Sequence, residues 1–283
     1  MNKWLKRGIN LSLFFIAFNT LEHFCHQKTD GFFLERIQFH HEKPLTDQPE
    51  SAVLSILNQP FRYLGCGNQC FVFASEDGHH VLKFFKYVDF APPAWVTQVP
   101  LLNRVKQFRP NRQHEIAWKR NRDFQGYQLA FDQFQTQTGL ISLHLHASQS
   151  TYPSITLYDK LGVIHSLDLN NTPFILQKRA TPIYEQFSAW IKTGDIDKVQ
   201  QGISSLVSLC SERISQNIFD DDVHFYSNFG FVDGTPIQID PGHFVSNSSH
   251  PEKLSSHLIE LKDWFSKNYP PMVSHVKACA LSP

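Results

Sequence analysis

The sequence has few charged side chains and no nucleic-acid motif, and these shortages exclude several classes of protein. Charged residues make up only 18% of the 283 positions, and the 26 basic residues balance the 26 acidic ones. The balanced charge predicts neither an acidic nor a basic macromolecular partner. We therefore expect no nucleic-acid partner, and apolar residues, at 41%, are frequent enough to build a proper core.

Cysteine is also scarce, and its spacing excludes the usual metal and disulfide patterns. The cysteines are Cys25, Cys66, Cys70, Cys210 and Cys279. Their number is odd, no C-x-x-C pair is present, and no second cysteine or histidine pair completes a zinc site. We interpret them as buried apolar side chains or free thiols, which favours a reducing compartment.

A long apolar run is missing too, although the N-terminus comes near to one. Lys3, Lys6 and Arg7 precede the apolar residues 11–18, a pattern typical of a signal or signal-anchor. A spanning helix needs ~20 apolar residues. Residues 1–24 are therefore read as a membrane anchor or interfacial helix, a poor signal peptide, or an amphipathic helix. We favour membrane association through this segment and a cytoplasmic location otherwise.

The first half of the chain reads as a linker followed by a strand-rich region. Residues 25–58 are polar and mixed, which is typical of a linker. The predicted strands are residues 61–64, 70–74, 81–85, 154–158 and 174–177. Asp77-Gly78 is a strong hairpin signal between the second and third of them. Four prolines predict an irregular insertion at 88–111, and apolar residues at helical spacing predict a long helix after it.

The second half, residues 179–283, is predicted to be mainly helical around one hairpin. A helix begins at Pro182, Gly194 stops it, and a second helix follows at once. Asp233-Gly234 is the turn signal of a hairpin over residues 229–240. A last helix is predicted from about residue 251 to residue 268.

A glycine turn and a lysine are the first residues that suggest chemistry. Gly65 and Gly67, with Asn68 and Gln69, lie between two predicted strands, and Lys83 is the only charge in the third. Glycine lacks the Cβ that would keep a phosphate from the backbone, and a buried lysine needs a partner. Taken alone, these residues are also typical of an ordinary turn and of an edge-strand lysine facing water.

An acidic segment and a hairpin supply the second group. Asp222 ends a run of three aspartates, Asn228 begins the predicted hairpin, and Asp240 ends it. A hairpin folds back on itself, so Asn228 and Asp240 are expected to lie close together. Their oxygens are ligands suited to Mg²⁺. The alternatives are a solvated acidic turn at Asp222 and a plain strand-end turn at Asp240.

Together these motifs resemble the protein-kinase-like superfamily over residues 61–244. The motifs are Gly65-Cys66-Gly67, Val81-Leu82-Lys83, Asp222-Val223-His224 with Asn228, and Ile239-Asp240-Pro241-Gly242. The likeness is strongest to the small-molecule branch of aminoglycoside and choline kinases. A narrower resemblance is to the membrane-anchored kinase-like proteins of chlamydia-type bacteria. The resemblance implies an α+β bilobal fold. Its N-lobe, residues 59–178, would hold an antiparallel five-stranded sheet and one long helix, before a short, mainly helical C-lobe, 179–283.

The resemblance also implies ATP and Mg²⁺ as cofactors, with a role for each residue. Gly65, Gly67, Asn68 and Gln69 would cover the phosphates, and Lys83 would hold them. Glu115, or Asp123 as the next choice, would pair with Lys83, and Gln177 would lie in the adenine hinge. Asn228 and Asp240 would hold the metal, and Asp222 would take the proton of the acceptor.

Two departures from the pattern keep other functions open. The interval from Asp222 to Asn228 is six residues instead of the familiar five, and the third glycine of the loop is missing. The sequence therefore favours an ATP-Mg-dependent phosphotransferase with an unknown acceptor. The alternatives are a catalytically inactive, pseudokinase-type binding module or secreted or membrane-associated effector, and a structural membrane-associated protein of another fold.

Overall fold

The computed structural model describes residues 3–38, 49–86, 103–149, 151–246 and 254–281. Within these ranges the chain has nine α-helices and twelve strands, so the predicted α+β class is confirmed. The chain divides into two compact units. The first unit comprises Met1–Val88 and His146–Phe174, and the second comprises Asp89–Leu145 and Ile175–Pro283.

The elements are numbered in chain order. The helices are α1 (Lys3–Thr29), α2 (Ser51–Leu57), α3 (Asn103–Gln133), α4 (Gln135–Thr138), α5 (Ile183–Thr193), α6 (Ile196–Ser215), α7 (Phe225–Asn228), α8 (Leu254–Asn268) and α9 (Val273–Leu281). The strands are β1 (Phe61–Cys66), β2 (Cys70–Ser75), β3 (His80–Phe85), β4 (Leu140–His144), β5 (Ser154–Tyr158), β6 (Ile164–Asp168), β7 (Phe174–Lys178), β8 (Thr181–Pro182), β9 (Ile218–Asp220), β10 (Phe229–Val232), β11 (Thr235–Gln238) and β12 (Phe244–Ser246).

In the first unit, β1, β2 and β3 form the predicted antiparallel meander. Phe71 pairs with Phe84 across β2 and β3, and Val72 pairs with Lys83. Because successive side chains point to opposite faces of a sheet, Phe71 and Lys83 lie on different faces. Phe32, just after α1, is buried against the face of Phe71, with their ring centroids 5.2 Å apart. This aromatic contact fixes the end of α1 to the sheet.

The prediction of an antiparallel five-stranded sheet is not confirmed. The larger sheet has seven strands and is mixed, because β1 and β5 run parallel. Parallel neighbours need a long connection, and more than eighty residues separate these two strands. The first unit holds five strands, in the order β3-β2-β1-β5-β6. The sequence does not reveal β6, because its two less exposed positions are His165 and Leu167 while the apolar Ile164 is exposed, so the hydrophobic pattern does not alternate.

In the second unit, the helices pack around aromatic side chains and a small hairpin. The hairpin of β10 and β11 is confirmed, and it turns at Asp233 and Gly234, both with positive φ. β8 pairs with β10, and β12 pairs with β9. The aromatic rings that contact one another here belong to Phe187, Trp190, Phe231, Trp264 and Phe265.

Several predicted segments have a more detailed structure than their composition suggests. The linker, 25–58, contains the end of α1 and the whole of α2. Of the predicted insertion, residues 88–102 lie outside the described ranges, and 103–111 belong to α3. In the part of the chain that the structure describes, none of the helices combines the length and apolarity needed to cross a bilayer.

Candidate functional site

The candidate site of the second unit begins where α3 meets the turn after β11. Gly126 of α3 lies so close to this turn that a Cβ would collide with the backbone carbonyl of Gly242. Asp123 and Tyr127 lie four residues apart and so share one face of α3. The absence of a side chain at Gly126 therefore lets this face approach the turn that carries Asp240.

Asp240 and Asn228 come together as the hairpin predicts. The Ile239 amide donates to the carbonyl of Asn228 at 2.7 Å, which closes the base of the hairpin beside Asp240. The Tyr127 hydroxyl donates to Oδ1 of Asp240 at 3.0 Å. The position of Asp240 is therefore held both by the hairpin and by α3.

Asp222 joins the same cluster through two contacts. Nδ2 of Asn228 donates to the backbone carbonyl of Asp222 at 2.7 Å. Nδ1 of His243 lies 3.3 Å from Oδ2 of Asp222. The Asp222 amide also donates to Oδ1 of Asp220, at 2.9 Å. The six-residue interval between Asp222 and Asn228 thus still brings the two residues into direct contact.

Asp123 is the most deeply buried acid of the cluster. Only 1% of its surface is exposed. Its Oδ1 accepts from the Arg122 guanidinium at 2.7 Å and lies 3.7 Å from Nε2 of His243. Within the described ranges its Oδ2 has no hydrogen-bond partner. Burial, and then the nearby charge of Asp240, raise the pKa of Asp123 to about 8.

Sequence reasoning missed the roles of Tyr127 and His243 here and considered Asp123 only as a partner for Lys83. The i, i+4 spacing of Asp123 and Tyr127 on a predicted helix was a usable signal, because it places both on one face. His243 lies three residues after Asp240 in the chain. Burial lowers the pKa of His243, although the charges of the neighbouring aspartates act to raise it.

The donor set of this cluster suits a hard divalent cation. Asp240 offers a carboxylate, Asn228 an amide oxygen, and Asp123 an unsatisfied carboxylate oxygen. In the described part of the chain, no three histidine, cysteine, aspartate or glutamate side chains are grouped closely enough to hold a metal by themselves. An aspartate and an asparagine would therefore need ligands from water or from a substrate, as Mg²⁺ commonly does.

In the first unit, the glycine turn between β1 and β2 is open. A Cβ added to Gly65 or to Gly67 would meet nothing within 4 Å, and neither residue has a positive φ. Asn68 is exposed and Gln69 is half-buried. The fold itself therefore does not require glycine at these two positions, and the Gly67 amide already donates to the carbonyl of Cys70 at 3.0 Å.

The remaining predicted site residues lie in three different environments. Lys83 is 8% exposed and lies within β3 of the first unit. Glu115 lies on α3 with its side chain 59% exposed, and it accepts from Lys119 at 2.7 Å. Gln177 is fully buried in β7, and its amide donates to the carbonyl of Thr138 at 2.6 Å. The pairing of Lys83 with Glu115 or Asp123 and the adenine contact of Gln177 stay predictions.

No protein-family model matches the chain, and no curated protein matches it either. Among solved structures, it is similar to WbdD crystallised with the kinase inhibitor LY294002, at 12% identity, TM-score 0.42, 77% coverage of this chain and 45% of that one. It is also similar to the bifunctional kinase-methyltransferase WbdD, at 14% identity and TM-score 0.37, with 76% of this chain and 43% of that chain covered. A 2.2 Å structure of WbdD is similar at 13% identity and TM-score 0.38, with 76% of this chain and 44% of that chain covered.

The chain thus spans less than half of the length of these structures. The narrower likenesses, to the small-molecule kinases and to the membrane-anchored proteins of chlamydia-type bacteria, stay predictions.

Proposed function

We propose that this chain is a kinase-like phosphotransferase that depends on ATP and Mg²⁺. The observation that carries the proposal is the cluster of Asp222, Asn228 and Asp240 in the second unit. Asn228 bonds to the backbone of Asp222, and the base of the hairpin sets Asn228 beside Asp240. A carboxylate near the acceptor and two oxygen ligands for the metal are the parts that phosphoryl transfer requires of a protein.

Asn228 and Asp240 are the residues that would hold the metal. When bound, Mg²⁺ neutralises charge on the phosphate oxygens. Tyr127 fixes the orientation of Asp240 by donating to its Oδ1, which leaves Oδ2 for a ligand. The glycine turn at Gly65 and Gly67, with Asn68 and Gln69, would cover the phosphates, and Lys83 would supply a positive charge to them.

Asp222 would accept the proton of the acceptor hydroxyl. Its carboxylate is 45% exposed, so it can reach a substrate, and His243 restrains it from one side. The identity of the acceptor is left open by this chemistry. A carboxylate that is both restrained and accessible is what a general base needs.

Turnover of γ-labelled ATP by the full chain tests the proposal. Release or transfer of the label should require Mg²⁺ and should fall at least about a hundredfold in Asp222→Asn, the range of general-base catalysis. Asp221→Asn is the matched control, because Asp221 is the exposed neighbour of Asp222 and carries the same charge. Loss of turnover in Asp221→Asn, with retention in Asp222→Asn, would contradict the assignment of the base.

The second candidate is a kinase-fold binding module without turnover. One observation favours it: Oδ1 of Asn228, the atom expected to bind metal, already accepts from the Ser227 hydroxyl at 2.7 Å. A module of this kind would bind ATP in the same cluster but release no label from it. ATP binding without measurable turnover, in the presence of Mg²⁺, decides for this candidate.

A further inference from the structure

A cavity of about 460 Å³ lies within the first unit, between the end of α1 and the glycine turn. Its walls include His23 and His26 from α1, Arg36 from the segment that follows, Cys66 and Gly67 from the turn, and Lys86 from the end of β3. Cavities of this size are typical of small-molecule sites. Of the residues that line this cavity, the proposed phosphotransferase uses only Gly67 and Asn68, and it gives no role to the histidines or the cations.

Two cations, Arg36 and Lys86, stand over one aromatic ring beside the cavity. The Arg36 guanidinium lies 5.8 Å from the centroid of Phe71, and Nζ of Lys86 lies 4.6 Å from it. Arg36 donates to the carbonyl of Gly31 at 2.8 Å, and Lys86 donates to the carbonyl of Gly67 at 2.5 Å. A guanidinium has five N–H donors and an ammonium has three, so both cations keep donors for a ligand.

One acid among the lining residues, Asp30, stands against these two cations, and it interacts with Lys86. Across the described ranges, neither Arg36 nor Lys86 forms an ion pair with a carboxylate. Asp30 also borders the cavity, but its carboxylate is engaged by Lys160 at 2.8 Å and by the hydroxyl of Tyr63 at 2.9 Å. The cavity therefore carries a net positive charge, and two like charges held over one ring favour an anion between them.

This cavity is not the place expected for the phosphates that Lys83 would hold. Phe71 and Lys83 lie on opposite faces of the sheet, because Val72 is the register partner of Lys83. Arg36 and Lys86 lie over Phe71 and hence on its face. An anion bound by these two cations is separated from Lys83 by the thickness of the sheet.

We propose that the cavity binds a phosphate group that belongs to a ligand other than the phosphoryl donor. Arg36 and Lys86 make charge-assisted hydrogen bonds to its oxygens. Two sources offer the same chemistry, a free phosphorylated small molecule and a lipid headgroup. A headgroup is a realistic source because apolar side chains of α1, among them Phe14, Phe18 and Phe24, are more than half exposed.

Alkylation of the full chain, followed by mass spectrometry, tests the site with pyrophosphate as the probe. Cys66 and Cys25 are both exposed thiols, but only Cys66 lines the cavity. Pyrophosphate should slow the alkylation of Cys66 several-fold and leave the rate at Cys25 unchanged. Equal rates at Cys66 with and without millimolar pyrophosphate would overturn the proposal.

Calorimetry of pyrophosphate binding tests whether Arg36 and Lys86 are the cations that bind the anion. Arg36→Gln and Lys86→Gln should each weaken binding about tenfold, the effect of one charged hydrogen bond. Lys86→Arg, which keeps the charge, should retain binding, so a folding defect is separated from the loss of the cation. Lys198→Gln, which removes an exposed lysine of the second unit, should bind like the wild type. Unchanged binding in both Arg36→Gln and Lys86→Gln would overturn the proposal.

Vesicle sedimentation distinguishes the two sources. Phosphatidylcholine vesicles that contain phosphatidylglycerol should retain the wild type better than Lys86→Gln if the phosphate belongs to a headgroup. If the ligand is a free molecule, pyrophosphate binds as above and the two proteins sediment alike. Lys198→Gln, an exposed lysine of the second unit, is the control for net charge. An equal loss in Lys198→Gln and Lys86→Gln would contradict a site at the cavity.

Discussion

The glycine turn of the first unit and the acidic cluster of the second are built in opposite ways. At the turn, an added Cβ on Gly65 or Gly67 would meet nothing within 4 Å, and the nearby charged residues are Arg36, Lys86 and Asp30. In the cluster, Gly126 is in contact with the backbone of another segment, and Asp123 is buried beside Asp240. Packing therefore requires glycine in the cluster, whereas no packing contact requires it at the turn.

The same contrast holds for the acids of the two units. Asp30 of the first unit is held by a lysine, and the hydrogen bond from Lys160 lowers its pKa below the usual range. Asp123 of the second unit loses water on folding, and its pKa rises to about 8. A carboxylate that resists ionisation costs stability near neutral pH, a cost that functional sites commonly carry.

The largest effect expected is that of Asp123→Asn on the dependence of stability on pH. Unfolded Asp123 loses its proton near pH 4, and folded Asp123 keeps it to about pH 8, so the wild type loses stability as pH rises through this interval. The loss is on the order of 1 kcal/mol per pH unit. Asp123→Asn removes it and should be the more stable protein at pH 8. Urea unfolding followed by tryptophan fluorescence measures the difference.

Asp30→Asn is the comparison for this prediction, and its effect on stability at neutral pH should have the opposite sign. Because the folded pKa of Asp30 is lowered, its contribution is present above pH 4 and is lost as pH falls through the folded pKa. The substitution should destabilise the protein at neutral pH and have little effect in acid. A stability difference of the same sign for Asp30→Asn and Asp123→Asn would break the contrast between the two regions.

The next effect is that of Gly126→Ala in the middle of α3. Helix propensity alone would make alanine the better residue by about 1 kcal/mol. The Cβ meets the carbonyls of Pro241 and Gly242, however, and backbone cannot rotate away as a side chain can. We expect a net destabilisation of about 1–3 kcal/mol, measured by urea unfolding. Increased stability would mean that α3 is not in close contact with this turn.

The smallest effect on stability is expected for Gly67→Ala. No atom lies within 4 Å of the new Cβ, so the free energy of unfolding should change by less than about 0.5 kcal/mol. Binding of ATP should nevertheless weaken, because the methyl group occupies space that a phosphate needs. A large loss of stability would show that the turn is packed and that its glycines serve the fold.

The parts of the site that depend on local pairing were predictable from the sequence. Asp233-Gly234 sets the turn, and pairing across the hairpin then brings Asn228 beside Asp240. Tyr127 and Asp240 are 113 residues apart, and their contact depends on how α3 packs. Hydrophobic periodicity places a residue on a face of a helix, but it does not say which turn that face will meet. The parallel pairing of β1 with β5 was missed for a similar reason, because strand patterns do not state which strands become neighbours.

Stabilisation by ATP is the most direct test of the nucleotide site on which the proposed function depends. The melting temperature of the full chain should rise with ATP and Mg²⁺ together, since a ligand that binds only the folded state stabilises it. Asp240→Asn should abolish this rise, whereas Asp233→Asn, which removes an exposed charge from the turn of the same hairpin, should preserve it. Equal melting temperatures of the wild type with and without millimolar ATP and Mg²⁺ would contradict the account.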